Sequence, residues 1–191
     1  MIFDIMTPPI IYIFGGLLLF AIIVLIALFN KIIRADHMVK EAWSGIDVQL
    51  KRRHELIPSL LETVKGITQH EQSTLEQVTQ ARSESLRVKE LGETESAETA
   101  LSGALRGLLA IAESYPDLKA SENFIQFQKH LVETENRIEM ARRYYNGSVR
   151  DFNILIESFP GILLANTLNK TPKDFFEIEF AYEKDALEVQ L

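Results

Sequence analysis

An uninterrupted apolar run from Ile10 to Phe29 governs how the rest of this chain can fold. Its one polar side-chain atom is the phenol oxygen of Tyr12. As an α-helix these 20 residues cover about 30 Å, which matches the hydrocarbon core of a bilayer. The run is too long for the core of a signal peptide, and no small-x-small cleavage site follows Ala27. A buried core helix is the alternative, which all-round apolarity at this length disfavours. The sequence therefore predicts a transmembrane helix over 10–29.

Charged residues flank the apolar run unequally. Asp4 is the only charged residue before it, whereas Lys31, Arg34 and Lys40 follow it. Basic residues tend to stay on the cytoplasmic side of a membrane. We therefore expect segment 1–9 to face outward and the large domain to be cytoplasmic.

Composition excludes several classes of site. The chain of 191 residues has no cysteine, which rules out disulfides, cysteine-ligated zinc, iron–sulfur clusters and thiol nucleophiles. Its net charge of −7 argues against a nucleic-acid partner, because such binding needs a dense basic face.

The residues after the membrane segment carry the spacing of an amphipathic helix. Steps of three and four from Val39 to Val88 land mainly on apolar side chains. This pattern predicts one helix about 75 Å long with coiled-coil-like packing. Pro58 removes the hydrogen bond to the carbonyl of His54 and is expected to kink or break this helix, and Gly66 to soften it again. The kink is either a bend around the core or a hinge that transmits motion.

Two further helices follow in the sequence. The second is predicted over Ala97–Ser114, after a solvated acidic turn at Glu90–Thr99. A stripe of small residues on it is expected to let neighbouring helices approach closely: Gly103, Gly107, Ala110 and Ser114. The third helix ends at Phe159-Pro160-Gly161. Its core stripe is predicted to be Phe124, Phe127, Leu131, Thr134, Ile138, Ala141, Tyr145, Ser148, Phe152, Leu155 and Phe159.

The predicted fold is all-α. An N-terminal transmembrane helix over 10–29 precedes an antiparallel up-and-down bundle over 30–176, made of three long helices and a C-terminal helix. A short apolar piece, 162–168, and a segment opened by Thr171-Pro172 supply the C-terminal part. The apolar residues of that segment fit the period of a strand nearly as well as that of a helix, and we expect a helix. An acidic tail, 177–191, ends the chain.

No sequence motif indicates a catalytic or metal centre. None of the histidines (His37, His54, His70 and His130) follows a glutamate at the spacing of di-iron bundles, and the common phosphate-binding and hydrolase motifs are absent. We expect these histidines to be exposed, with no metal or cofactor. The clusters Lys51-Arg52-Arg53 and Arg142-Arg143 have acids four residues before them, Asp47 and Glu139, so ion-paired surfaces are expected rather than nucleic-acid or lipid sites.

Arg53 stands out because it lies on the apolar stripe of the first helix. A buried cation needs partners, and antiparallel helices would bring Arg53 to Glu135 or Asn136, thereby fixing the register of the bundle. The alternative is an Arg53 side chain that reaches back to water.

Three long stretches of this sequence resemble the LemA family. They are EAWSGIDVQLKRRHELIPSLLETVKG from Glu41, ALSGALRGLLAIAESYPDLKASENF from Ala100 and TENRIEMARRYYNGSVRDFN from Thr134, followed by FPGILLA and FFE. The resemblance implies a bacterial inner-membrane protein with an outward N-terminus, a four-helix up-and-down cytoplasmic bundle and no cofactor. A branch associated with magnetosome membranes implies, by analogy, a membrane-organising role. The matching motif residues, interpreted as packing, register or interaction determinants, are Trp43, Asp47, Arg52, Arg53, Pro58, Glu135, Asn136, Arg137, Arg142, Tyr145 and Asn146.

Together these observations favour a non-enzymatic scaffold that is tethered to the bilayer through 10–29 and binds other proteins or itself. Self-assembly is expected to use the bundle, because the membrane segment has only Gly15-Gly16 and no Gly-x-x-x-Gly face. A membrane-stress or signalling component, and a metal-binding or enzymatic bundle with an unfamiliar site, are the alternatives. The sequence identifies no protein partner.

Overall fold

The computed structural model describes residues 3–65 and 72–177. Within these ranges the secondary structure is helical, which confirms the all-α class. The helices are α1 (Phe3–Lys65), α2 (Gln72–Ser85), α3 (Leu91–Ala112), α4 (Pro116–Lys119), α5 (Glu122–Glu157) and α6 (Gly161–Thr167).

The chain divides into two compact units. Unit 1 consists of Met1–Glu41 and Gly147–Asp174, and unit 2 consists of Ala42–Asn146 and Phe175–Leu191. Helices α1 and α5 each contribute residues to both units.

Unit 2 contains an antiparallel helical bundle. Trp43 of α1 contacts Tyr145 of α5, and Arg53 contacts Glu135. Because the contacts ascend along α1 as they descend along α5, the two helices run in opposite directions. Apolar side chains from α1 to α5 fill the core: Ile57, Leu60, Val64, Leu75, Val78, Leu101, Leu105, Leu108, Ala112, Leu118, Phe124, Phe127 and Leu131. Most of them lie at predicted positions, whereas Leu75, Ala112 and Leu118 do not.

The first long helix is shorter than predicted. Helix α1 ends at Lys65, and α2 is a separate helix. The Oγ of Ser85 lies 2.9 Å from Nε2 of His54, whereas one continuous helix would separate these residues by about 46 Å. Helix α2 therefore runs antiparallel to α1. The stripe keeps its spacing on both helices because both bury one face in the same core; Gly66 lies outside the described residues.

Helix α1 continues through Pro58, so the predicted break does not occur. The imide of Pro58 leaves the carbonyl of His54 without its helical donor. The Nε of Arg82 on α2 donates a hydrogen bond to this oxygen at 2.9 Å. A side chain from the neighbouring helix thus replaces the missing backbone amide.

Helix α3 begins earlier than predicted, at Leu91, so most of the acidic stretch is helical rather than a solvated turn. Thr94, Ala97 and Glu98 are buried. The predicted close packing of small residues is wrong, because no atom lies within 4 Å of a Cβ built on Gly103 or Gly107.

In unit 1 the apolar run is part of α1, and every residue from 11 to 27 is exposed. This exposure contradicts the alternative of a buried core helix. Helix α5 ends at Glu157, so Phe159 leaves the predicted stripe and is 81% exposed in the turn before α6. Helix α6 matches the predicted short apolar piece.

Residues 170–177 are not helical, contrary to the expectation for the C-terminal segment. Asparagine side chains of α5 form hydrogen bonds with backbone groups that a helix would use for its own hydrogen bonds. In unit 1, Asn153 accepts from the amide of Lys173 and donates to its carbonyl, each at 2.9 Å. In unit 2, Asn146 makes the same pair of hydrogen bonds with Phe176, at 2.9 and 3.0 Å.

Candidate functional site

The most distinctive feature of unit 2 is a buried polar cluster around Arg53. The Arg53 side chain is 0% exposed. Its Nη1 donates to Oε1 of Glu135 at 2.8 Å and to Oγ of Ser102 at 3.0 Å. Its Nη2 forms an ion pair with the buried carboxylate of Glu98. The predicted contact with Glu135 is confirmed, and the alternative of an Arg53 that reaches water is wrong.

Two further side chains complete this Arg53 cluster. Nε2 of His54 lies 2.8 Å from Oε1 of Glu98 and 2.9 Å from Oγ of Ser85, and Ser85 also hydrogen-bonds Glu98. His54 is 5% exposed, so the expectation of an exposed histidine is wrong here, although His37 and His130 are exposed. Helices α1, α2, α3 and α5 all contribute to the cluster.

The Arg53 cluster keeps His54 neutral. Burial of the imidazole, together with the nearby cations Arg53 and Arg82, lowers the pKa of His54 from 6.5 to about 4.

Sequence reasoning missed Glu98, although a signal was present. Glu98 lies three residues before Leu101 and continues the apolar stripe of α3 through Leu105 and Leu108. An acid in such a stripe indicates a buried charge, as Arg53 does on α1.

Three of the predicted site residues form a second cluster in unit 2. The ring of Trp43 makes edge-to-face contacts with Tyr145 and Phe176, at centroid distances of 5.5 and 5.2 Å. Asn146 holds the backbone of Phe176. This cluster fixes the C-terminal segment against α1 and α5 of unit 2.

The other predicted site residues lie nearer the surface. Arg142 is half-buried, and five residues are exposed: Asp47, Arg52, Pro58, Asn136 and Arg137. The predicted ion pair between Glu139 and Arg143 is present.

Unit 1 has a charged centre of the opposite sign. Asp36 is 4% exposed and accepts ion pairs from Lys40, Lys170 and Lys173 at 3.2, 3.0 and 3.0 Å. Burial opposes ionisation of Asp36, but the hydrogen bonds from these lysines outweigh it and hold the pKa well below its ordinary value.

The arrangement in unit 2 is structural in character. Arg53 contacts the carboxylates of both Glu98 and Glu135. Among residues 3–65 and 72–177, no group of three or more acids and histidines could hold a metal. The convergent hydrogen bonds instead join four helices at one level of the bundle.

Fold and site together define an all-helical protein with a membrane-length apolar helix and a bundle joined by a buried ionic cluster. Among the described helices, α1 alone is long and apolar enough to cross a membrane. The sequence profile of the LemA family matches residues 42–191. The chain therefore belongs to the LemA family.

Three known proteins are similar to this chain. It is 30% identical over 132 residues to Protein LemA of Metamycoplasma hominis, which covers 68% of this chain and 60% of that protein. It is 30% identical over 90 residues to magnetosome protein MamQ of Magnetospirillum gryphiswaldense, covering 47% of this chain and 31% of that protein. MamQ 2 of Paramagnetospirillum magneticum is 28% identical over 95 residues, covering 50% and 35%. The chain thus spans less than two thirds of each relative. Its apolar helix and the magnetosome relatives indicate a membrane protein.

Proposed function

We propose that this chain is a non-enzymatic scaffold of the bacterial inner membrane. Residues 10–29 anchor it in the bilayer, segment 1–9 faces outward, and the bundle binds proteins or further copies of itself in the cytoplasm. The magnetosome relatives favour a role in organising a membrane.

One observation carries this proposal. Helix α1 holds both the apolar segment, exposed from residue 11 to residue 27, and, further along, Arg53 with its buried partners. A soluble protein rarely exposes so large an apolar surface. A bilayer removes that cost, and the same helix then supplies a core element of the bundle.

The outer surface of α5 supports the binding role. Ile125, Val132 and Met140 are 53–61% exposed apolar side chains on this helix. Val132 also lines a groove of about 190 Å³ between α3 and α5, together with Leu105 and Leu109 of α3. Exposed apolar side chains beside a groove are typical of protein interaction sites.

Cysteine labelling tests the anchor and its orientation, because the natural chain has no cysteine. In intact cells, Asp4→Cys should react with a membrane-impermeant maleimide, whereas Val132→Cys should react only after permeabilisation. Labelling of Val132→Cys in sealed cells would contradict the orientation.

Crosslinking tests the scaffold role. In native membranes, Val132→Cys and Met140→Cys should give adducts with a bismaleimide, either to the chain itself or to another protein. The exposed polar position Lys51→Cys serves as the matched control. A chain that is monomeric in detergent and gives no adduct from any position would contradict the role. The stress-signalling alternative stays a prediction.

A further inference from the structure

Unit 1 contains a groove beside the end of the apolar run. It has a volume of about 720 Å³. One wall is formed by α1 and the other by the end of α5 and the turn that follows it. The lining residues are Leu28, Lys31, Arg34, Ala35, Met38, Asp151, Ile154, Leu155, Ser158, Phe159, Pro160 and Gly161.

The turn at this groove and the first residues of α6 expose large apolar side chains. Phe159 is 81% exposed, Leu163 is 62% exposed and Ile162 is 41% exposed. The turn is tight, since a Cβ on Gly161 would lie 1.9 Å from the carbonyl oxygen of Leu155. The turn and the first residues of α6 thus form a closely packed corner at the end of α5, and this corner carries the exposed side chains.

The position of the groove along α1 indicates the depth of this corner relative to the bilayer. Leu28 belongs to the apolar run, and Lys31 is the first charged residue after it. These two residues are about 4.5 Å apart along the helix axis, and both line the groove with Phe159. If 10–29 crosses a bilayer, the corner lies where acyl chains meet headgroups.

The charge of the groove favours an anion. Lys31 and Arg34 are exposed, and neither forms an ion pair with any residue in 3–65 or 72–177. The lining carboxylate of Asp151 is paired with Arg150 at 3.0 Å. Lys31 and Arg34 thus lie beside an apolar surface without an ion-pair partner among the described residues. This arrangement is complementary to a phospholipid, which joins a phosphate to acyl chains.

We propose that this groove binds an anionic phospholipid of the membrane that holds residues 10–29. Phe159, Ile162 and Leu163 insert among the acyl chains, while Lys31 and Arg34 contact the phosphate. The inference rests on the proposed membrane anchor and adds a second point of attachment from a distant part of the sequence.

Spin labelling of the full chain in phosphatidylglycerol–phosphatidylcholine nanodiscs tests the insertion. Single-cysteine labels are placed at Leu163, at Leu19 within the run, and at Val132 on unit 2. Oxygen accessibility relative to a polar nickel reagent should be highest at Leu19, intermediate at Leu163 and lowest at Val132.

Two outcomes would overturn the insertion, and they are distinguishable. A Leu163 label as water-accessible as that at Val132, with Leu19 in hydrocarbon, would reject the corner but leave the anchor intact. A Leu19 label in water would reject the anchor, and this inference with it.

Lipid retention tests the headgroup. The chain is purified from mixed micelles and its bound lipids are counted. The test variant carries both Lys31→Gln and Arg34→Gln. Its retained ratio of phosphatidylglycerol to phosphatidylcholine should fall about fivefold for each charge removed. The paired change Lys51→Gln and Arg52→Gln, on the exposed face of α1 in unit 2, should leave the ratio unchanged.

Phe159→Ser separates the groove from general attraction to the membrane surface, because it removes no charge. The retained ratio should fall in this variant as well. An unchanged ratio in Phe159→Ser, or an equal fall in the two double variants, would overturn the lipid site.

Discussion

Each unit buries one charged side chain among partners of opposite charge, but the partners in the two units differ in their exposure to water. In unit 2 the cation Arg53 contacts Glu98, which is 1% exposed, and Glu135, which is 20% exposed. In unit 1 the anion Asp36 contacts three lysines whose side chains are 25–62% exposed. The lysines around Asp36 can turn to water if Asp36 is lost, whereas the carboxylate of Glu98 cannot if Arg53 is lost.

This difference indicates separate roles for the two centres. A buried ion pair is expensive to break because the remaining charge stays without water or partner. The Arg53 cluster therefore specifies which helices meet and in which register. The Asp36 centre is expected to add less to stability, because its lysine partners remain partly in contact with water, which weakens ion pairs.

The largest expected effect is at Arg53. Arg53→Met leaves the carboxylates of Glu98 and Glu135 without their cation and should lower the free energy of unfolding by about 3–5 kcal/mol. Urea unfolding of the full chain in detergent, followed by circular dichroism, measures the loss.

The matched change in the other unit is Asp36→Asn. Because the three lysines remain near solvent, a loss of about 1 kcal/mol is expected. Equal losses for Arg53→Met and Asp36→Asn would remove the distinction between the two centres.

The pH dependence of stability provides a second test of the Arg53 cluster. The folded chain keeps His54 neutral down to about pH 4, while the unfolded chain protonates it below 6.5. Protons therefore favour the unfolded state in this window, and stability should fall by about 2 kcal/mol between pH 7 and pH 5. Urea midpoints across this range, compared with those of His54→Gln, isolate the contribution. A slope that persists in the variant would assign it to other groups.

Unit 1 depends more on close backbone packing than on charge. Gly161→Ala would place a Cβ against the carbonyl of Leu155, so we expect a loss of about 2 kcal/mol. Gly103→Ala is the control, because open space surrounds that helical position. It should stabilise the chain by up to about 1 kcal/mol. Thermal unfolding of both variants would contradict this account if their shifts had the same sign.

The smallest effect concerns Pro58 and Arg82. Arg82→Met removes the donor that replaces the missing amide, whereas Pro58→Ala restores that amide. In a double-mutant cycle, Arg82→Met should therefore cost about 1 kcal/mol more in the natural chain than in Pro58→Ala. Additive effects would show that Arg82 does not compensate for the proline.

The spacing of apolar residues was enough to predict the helical class and most core positions from Val39 to Val64. It also singled out Arg53 as a candidate buried cation, with Glu135 or Asn136 as its expected partner. It did not reveal that the chain reverses between α1 and α2, because the stripe continues across both helices. Nor did it reveal Glu98, whose burial depends on a cation from another helix. A local pattern records which face is buried, but not which distant side chain covers it.

The packing of Trp43 against Phe176 has a practical consequence. The chain contains a single tryptophan, and its indole lies against the C-terminal segment. Intrinsic fluorescence is therefore an optical reporter of whether that segment is docked, with no dye attached. A change in emission without loss of helical signal would reveal undocking of that segment, separately from unfolding of the bundle.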